Sequence, residues 1–177
     1  MASARDFLEQ VLPWPQGTEA GFCNFHWTSP KGPGVRGKPF RDLDAFMAFL
    51  AHADNHAALF KDIYFCLSRQ SAHGRMYNGY PVALRNAKNA THLKAIWLDV
   101  DVKPGDLEKH YGSTAEALGA LGAFIAEAAL PAPSAMVFSG SGGFHVYWIS
   151  DKTLTVEEWR PYAEGLRRHG TDRVAAT

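Results

Sequence analysis

Asp99 and Asp101 stand one residue apart in an otherwise apolar stretch, Ala95-Ile96-Trp97-Leu98-Asp99-Val100-Asp101-Val102. Side chains alternate along a strand, so the two carboxylates share a face, about 7 Å apart along it. Ile96, Leu98, Val100 and Val102 take the other face, which calls for a helix packed on it. Two ionised carboxylates side by side repel each other and resist desolvation unless a cation sits between them. A divalent metal removes both penalties, and the pair reads as a metal site. Some forty residues on comes Phe138-Ser139-Gly140-Ser141-Gly142-Gly143-Phe144-His145-Val146-Tyr147-Trp148, a small-residue loop running into a histidine on another strand. Ser139 and Ser141 offer hydroxyls, and Gly142 and Gly143 offer backbone N–H groups without side-chain obstruction, a shape suited to a triphosphate. On this reading valine at Gly143 blocks the phosphates without disturbing the metals. Carboxylate oxygens with water and phosphate suit Mg²⁺ or Mn²⁺, whereas a set without cysteine and with one histidine does not suit zinc.

Something must hold these groups in place, and the chain is large enough to do so. Its 177 residues are 46% hydrophobic and 20% charged, in the range of a soluble globular domain. Eighteen basic residues balance eighteen acidic ones, so nucleic acid could be held only by locally gathered charge. Cys23 and Cys66 are too few and too far apart for a disulfide framework or a cysteine zinc site. No apolar run approaches the roughly 18 residues of a membrane span, and no signal peptide opens the chain. The expectation is a cytoplasmic protein with no membrane partner.

The elements can be placed from pattern. A short helix around Phe7–Leu12 is stopped by Pro13 and Pro15. A weak strand follows at Gly21–Thr28, then a flexible basic loop, Pro30–Pro39, with Lys31, Arg36 and Lys38. Asp42 caps a helix with Leu43, Phe46, Met47 and Leu50 on one face. Asp62–Leu67 reads as a strand, and Arg69 just beyond it is the first choice for a phosphate contact. Ser71–Asn89 reads as a loop. The Asp-bearing strand runs from about Lys94 to Val102. Ser113 and Glu116 form a capping box for a helix through Leu118, Leu121 and Ile125. Ala135–Phe138 and Phe144–Ile149 form a hairpin. A second capping box, Thr155 to Glu158, opens a helix toward Arg168 with Pro161 inside it and Gly170 as its stop. From Lys94 the order is strand, helix, strand, strand, helix, that of a split βαβ, ferredoxin-like module. Its fourth strand would have to come from Thr171–Thr177, so the chain reads as a fragment of a longer protein.

Asp99-Val100-Asp101, the run Ser139-Gly140-Ser141-Gly142-Gly143-Phe144-His145, and Asp172 together resemble the three motifs of the archaeo-eukaryotic primase superfamily, over about residues 94 to 177. Thr171 stands where the family pattern has an apolar residue. The resemblance implies an α/β protein: an RRM-like (ferredoxin-like) catalytic module at 94–177, and an N-terminal α/β portion at 1–93 completing the cleft. It implies a DNA primase or DNA-directed polymerase, a nucleotidyltransferase that makes or extends primers on single-stranded DNA from NTPs or dNTPs. Asp99, Asp101 and Asp172 would bind two Mg²⁺ or Mn²⁺ ions, and Ser139, Ser141, Gly142, Gly143, His145 and Arg69 the nucleotide. Asp172 would arrive on a neighbouring strand. A helicase or replication protein is the expected partner.

Two other classes stay open on the residues alone. One is a nucleotide- or nucleic-acid-binding module without catalysis. The other is a metal-dependent hydrolase or glycosyltransferase using Asp-x-Asp; glycosyltransferases place that motif at a strand end of an open parallel sheet, and the hairpin histidine argues against it.

Overall fold

The structure is a computed structural model that describes residues 3–30, 32–77, 79–106 and 110–174, with the backbone alone described at 32–34, 77, 80, 81 and 170–174. Its elements are α1 (Ala4–Val11), β1 (Phe22–Ser29), β2 (Gly32–Phe40), α2 (Leu43–Asp54), β3 (Ile63–Gln70), β4 (Arg75–Tyr77), β5 (Tyr80–Val82), β6 (Ala90–Val100), α3 (Thr114–Glu127), β7 (Ala135–Phe138), β8 (Phe144–Thr155) and α4 (Val156–Val174). Six strands belong to one sheet, and β4 and β5 form a separate pair. The chain divides into two units: Met1–Lys94 with Asp151–Val156, and Ala95–Ser150 with Glu157–Thr177. Among the described residues no helix is long and apolar enough to cross a membrane.

In the first unit the hydrogen-bonded order is β2-β1-β3-β6. Ser3 and Asp6 close a reciprocal capping box that starts α1, and Asp42 accepts the Ala45 N–H at 2.7 Å to start α2. Phe46, on the apolar stripe read from the sequence, is buried with Trp14, Phe25 and Phe40 in an aromatic core. The basic stretch around Pro30–Pro39 is not a loop. It forms β2, paired antiparallel with β1 from Cys23↔Phe40 to Ser29↔Gly32. An edge strand leaves one row of N–H groups unpaired, which is where a sheet tolerates Pro39 and repeated glycine. Lys31, expected in that loop, lies outside the described residues. Ser71–Asn89, also expected as a loop, contains the β4–β5 hairpin.

His26 on β1 is 6% exposed and faces Gly37, where a Cβ would lie 2.8 Å from its Nδ1. Burial, helped by the charge of Arg85, pushes its imidazolium below the ordinary histidine value. A depressed folded pKa gives stability that is present above the unfolded value, about 6.5, and lost as pH falls through the folded one. Thermal stability is therefore expected to drop between pH 7 and pH 5. Scanning calorimetry across that range should find a shallower slope in His26→Gln; an equal slope in both would remove His26 as a cause.

In the second unit the order is β6-β8-β7. The apolar face of β6 finds the helix its pattern called for: Leu98, Val100 and Val102 pack with Ala117, Leu121 and Ile125 of α3, and with Phe144 and Val146 of β8. Ser113 Oγ accepts the Glu116 N–H at 3.2 Å, and the Glu116 carboxylate reaches back to the Gly112 N–H. The chain does not stop its last helix at Gly170. α4 continues to Val174, so Thr171–Val174 are helical and not the start of a strand. Gly within a helix costs only about 1 kcal/mol relative to Ala, which the flanking turns offset.

Candidate active site

Each acidic and basic group here follows from a buried neighbour facing the other way. Because Leu98, Val100 and Val102 are committed to the core, Asp99 and Asp101 are turned out, 65% and 59% exposed. Because Phe144 and Val146 are fully buried, His145 between them is turned out as well. Its Nε2 lies 3.2 Å from Asp99 Oδ1. Its Nδ1 lies 3.2 Å from the hydroxyl of Tyr147, two residues along the same strand. A carboxylate can only accept, so a neutral His145 carries its proton on Nε2 and Nδ1 accepts from Tyr147. Burial, and then the charge of Asp99, pushes the Tyr147 phenol above its ordinary value, which keeps that donor protonated. Tyr147, His145 and Asp99 thus form one directed chain. The sequence reading passed over Tyr147, although strand alternation from His145 would have found it.

The loop between β7 and β8 is closed on itself. The Ser139 N–H and hydroxyl both reach the Gly143 carbonyl, at 2.8 and 2.9 Å, and the Gly142 N–H reaches the Ser139 carbonyl at 3.3 Å. Ser139 Oγ and Ser141 Oγ are 2.9 Å apart. With the Ser139 proton used on Gly143, Ser141 is the donor of that pair. Thr114, in the first turn of α3, donates to the Gly142 carbonyl at 2.8 Å. Gly142 has φ +95°, a conformation that side chains disfavour. Gly143 lies hard against β6: a Cβ there would sit 2.8 Å from the Val100 carbonyl oxygen and 3.6 Å from Asp101 Cα. Valine at Gly143 would therefore strike the backbone between the two aspartates, and it is not the clean block of the loop expected from sequence.

Two other expected residues stand differently. Arg69 is 2% exposed. Its Nε donates to the Pro13 carbonyl at 2.8 Å, one terminal nitrogen to the Trp14 carbonyl at 3.1 Å, and the other pairs with Glu19 at 2.8 Å. The guanidinium is spent holding the Pro13–Glu19 segment, and the phosphate contact expected of it gives way to this structural role. Asp172 lies in the last turn of α4, not on a strand, and its side chain is outside the described residues.

As donors for Mg²⁺ or Mn²⁺ the pair Asp99, in β6, and Asp101, just past its end, is chemically suited: both are exposed and offer hard oxygens. Among the described residues no group of three or more His, Cys, Asp or Glu is gathered for a metal.

The fold is similar to that of a primase-polymerase AEP domain. One solved structure it is similar to is the AEP domain (PP-N190) of the cyanophage S-2L primase-polymerase, PrimPol, with a TM-score of 0.50 and 15% sequence identity. The match covers 82% of this chain and 62% of that structure, so the chain spans less than two thirds of its length. No known family pattern and no curated protein matches the sequence.

Proposed function

We propose that the chain is the nucleotidyl-transfer domain of a primase-polymerase, making or extending primers on single-stranded DNA from NTPs or dNTPs. The observation that carries this reading is the juxtaposition of exposed Asp99 and His145, with Asp101 two residues on and the Gly143 loop packed against the backbone between the aspartates. The primase fold supports it. The second unit, ordered β6-α3-β7-β8-α4, is read as the RRM-like catalytic module.

Asp99 and Asp101 would hold Mg²⁺ or Mn²⁺, with Asp172 as a further ligand. When bound, two such ions activate a 3′-hydroxyl and neutralise the leaving phosphates. His145, its tautomer set by Tyr147, presents an N–H that can pass from Asp99 to a phosphate oxygen. The glycine-rich loop brings backbone close to the same place, and the N-terminus of α3 behind it adds a favourable potential for anions. Single-stranded DNA is the template in this reading, and a helicase or replication protein the partner.

The test is primer synthesis and extension by the full chain on single-stranded DNA, with NTPs and dNTPs in turn, with Mn²⁺, Mg²⁺ or EDTA. Metal-dependent product that EDTA abolishes is expected. Nucleotide binding by calorimetry without any product would leave a binding module. Absence of both would reject the reading.

A further inference from the structure

Past Asp101 the chain returns at Tyr111 to the strand it has just left. The Lys103 N–H donates to the Tyr111 carbonyl at 2.9 Å, the Tyr111 N–H to the Asp101 carbonyl at 3.3 Å, and Val102 and Tyr111 form a parallel bridge. Between them the Asp106 N–H reaches the Lys103 carbonyl, and the His110 N–H reaches the Asp106 carbonyl. This folding delivers two side chains to Asp101: Lys103 Nζ is 3.9 Å and His110 Nε2 is 3.7 Å from its Oδ2. They also meet each other, Nζ to Nε2, at 3.0 Å.

An ammonium can only donate, so Nε2 accepts from Lys103 and the ring proton sits on Nδ1. Nδ1 in turn lies 3.1 Å from Asp106 Oδ2, at ion-pair distance but without the alignment of a hydrogen bond. The imidazole is mostly covered, 15% exposed, while Lys103 is 55% exposed. His110 holds the head of a flexible lysine beside the Asp101 carboxylate. For a carboxylate whose whole task is to take up a free divalent cation, this is a poor neighbour, since a fixed ammonium within 4 Å competes with the metal. The arrangement turns favourable when the cation arrives with more negative charge than it neutralises. A metal-bound triphosphate does so; a free metal ion or a nucleoside monophosphate does not.

Resting on the nucleotidyl-transfer reading above, we propose that Lys103 binds the terminal phosphates of the incoming nucleoside triphosphate, and that His110 is its positioning residue. The pair selects the metal–triphosphate complex over either free metal or monophosphate. Lys103 donates to phosphate oxygens brought to Asp101, and the Lys103–Asp101 contact relaxes as they arrive.

The experiment compares wild type with Lys103→Met, Lys103→Arg and His110→Leu, using the full chain without template. Free Mn²⁺ binding is read by electron paramagnetic resonance, and binding of Mn²⁺–dATP and of dAMP by calorimetry. Lys103→Met is expected to bind Mn²⁺–dATP about tenfold more weakly, the size of one lost charge-assisted hydrogen bond. The same variant should bind free Mn²⁺ at least as tightly as wild type and leave dAMP affinity unchanged. Lys103→Arg should recover most of the dATP affinity, and His110→Leu should lose part of it while sparing dAMP. Unchanged dATP affinity in Lys103→Met, or an equal loss for dATP and dAMP, overturns the proposal while wild-type nucleotide binding upholds the broader reading. A wild type that binds no Mn²⁺–dATP overturns both.

Discussion

Replacing Asp99 and Asp101 together by asparagine is expected to lower primer extension by at least about a thousandfold, the scale of the several kcal/mol of charge stabilisation that metal ions supply to such a transfer. The fold should survive intact. Both side chains are more than half exposed, and asparagine keeps their shape and an oxygen for the His145 N–H. Removing two adjacent negative charges also relieves their repulsion, so the melting temperature should hold or rise slightly. Extension kinetics, thermal denaturation and Mn²⁺ titration of the same samples separate the two effects. A double variant that keeps a tenth of the activity would reject the carboxylate pair as the metal site.

Alanine at Gly143 and alanine at Gly140 should behave as opposites, although both sit in the same loop. At Gly140 an added Cβ meets nothing within 4 Å, and the variant should match wild type in stability and activity. At Gly143 it meets the Val100 carbonyl oxygen at 2.8 Å, closer than real contacts allow, and backbone must move. Overpacking of this kind costs about 1–3 kcal/mol, or about 3–10 °C in melting temperature for a chain of this size. Activity should fall further than stability does, because the carbonyl that moves lies between the two aspartates. Paired melting curves and extension rates decide it. Equal behaviour of the two variants would mean that the loop does not hold β6 in place.

What could be read in the sequence was what depends on near neighbours. The alternation that set Asp99 and Asp101 against Leu98, Val100 and Val102 is a property of a few consecutive residues, as is the placing of His145 between Phe144 and Val146. Caps at Asp42 and Ser113 were legible for the same reason. Arg69 was not: its burial depends on where Pro13 to Glu19 crosses the end of β3, some fifty residues away in the chain. The strand at Gly32–Phe40 was hidden because its prolines and glycines are loop-like unless the strand lies at an edge. Ser139 and Ser141 looked like free phosphate donors, yet the loop uses both hydroxyls to shape itself. Lys103 and His110 drew no notice because a turn, not a periodic pattern, brings them to Asp101.

The close approach of Gly143 to Val100 puts the loop proposed for phosphate and the strand proposed for the cation in direct backbone contact. A shift of Gly143 toward β6 would press on the Val100 carbonyl, which lies between the two aspartates. On the proposed function, phosphate capture and cation capture would report to each other through a single peptide unit. Thermodynamic reciprocity requires the exchange to be even-handed: the factor by which one ligand sharpens the site for the other is returned in full by the second. On the proposed function the domain would behave as an AND gate for nucleotide and cation.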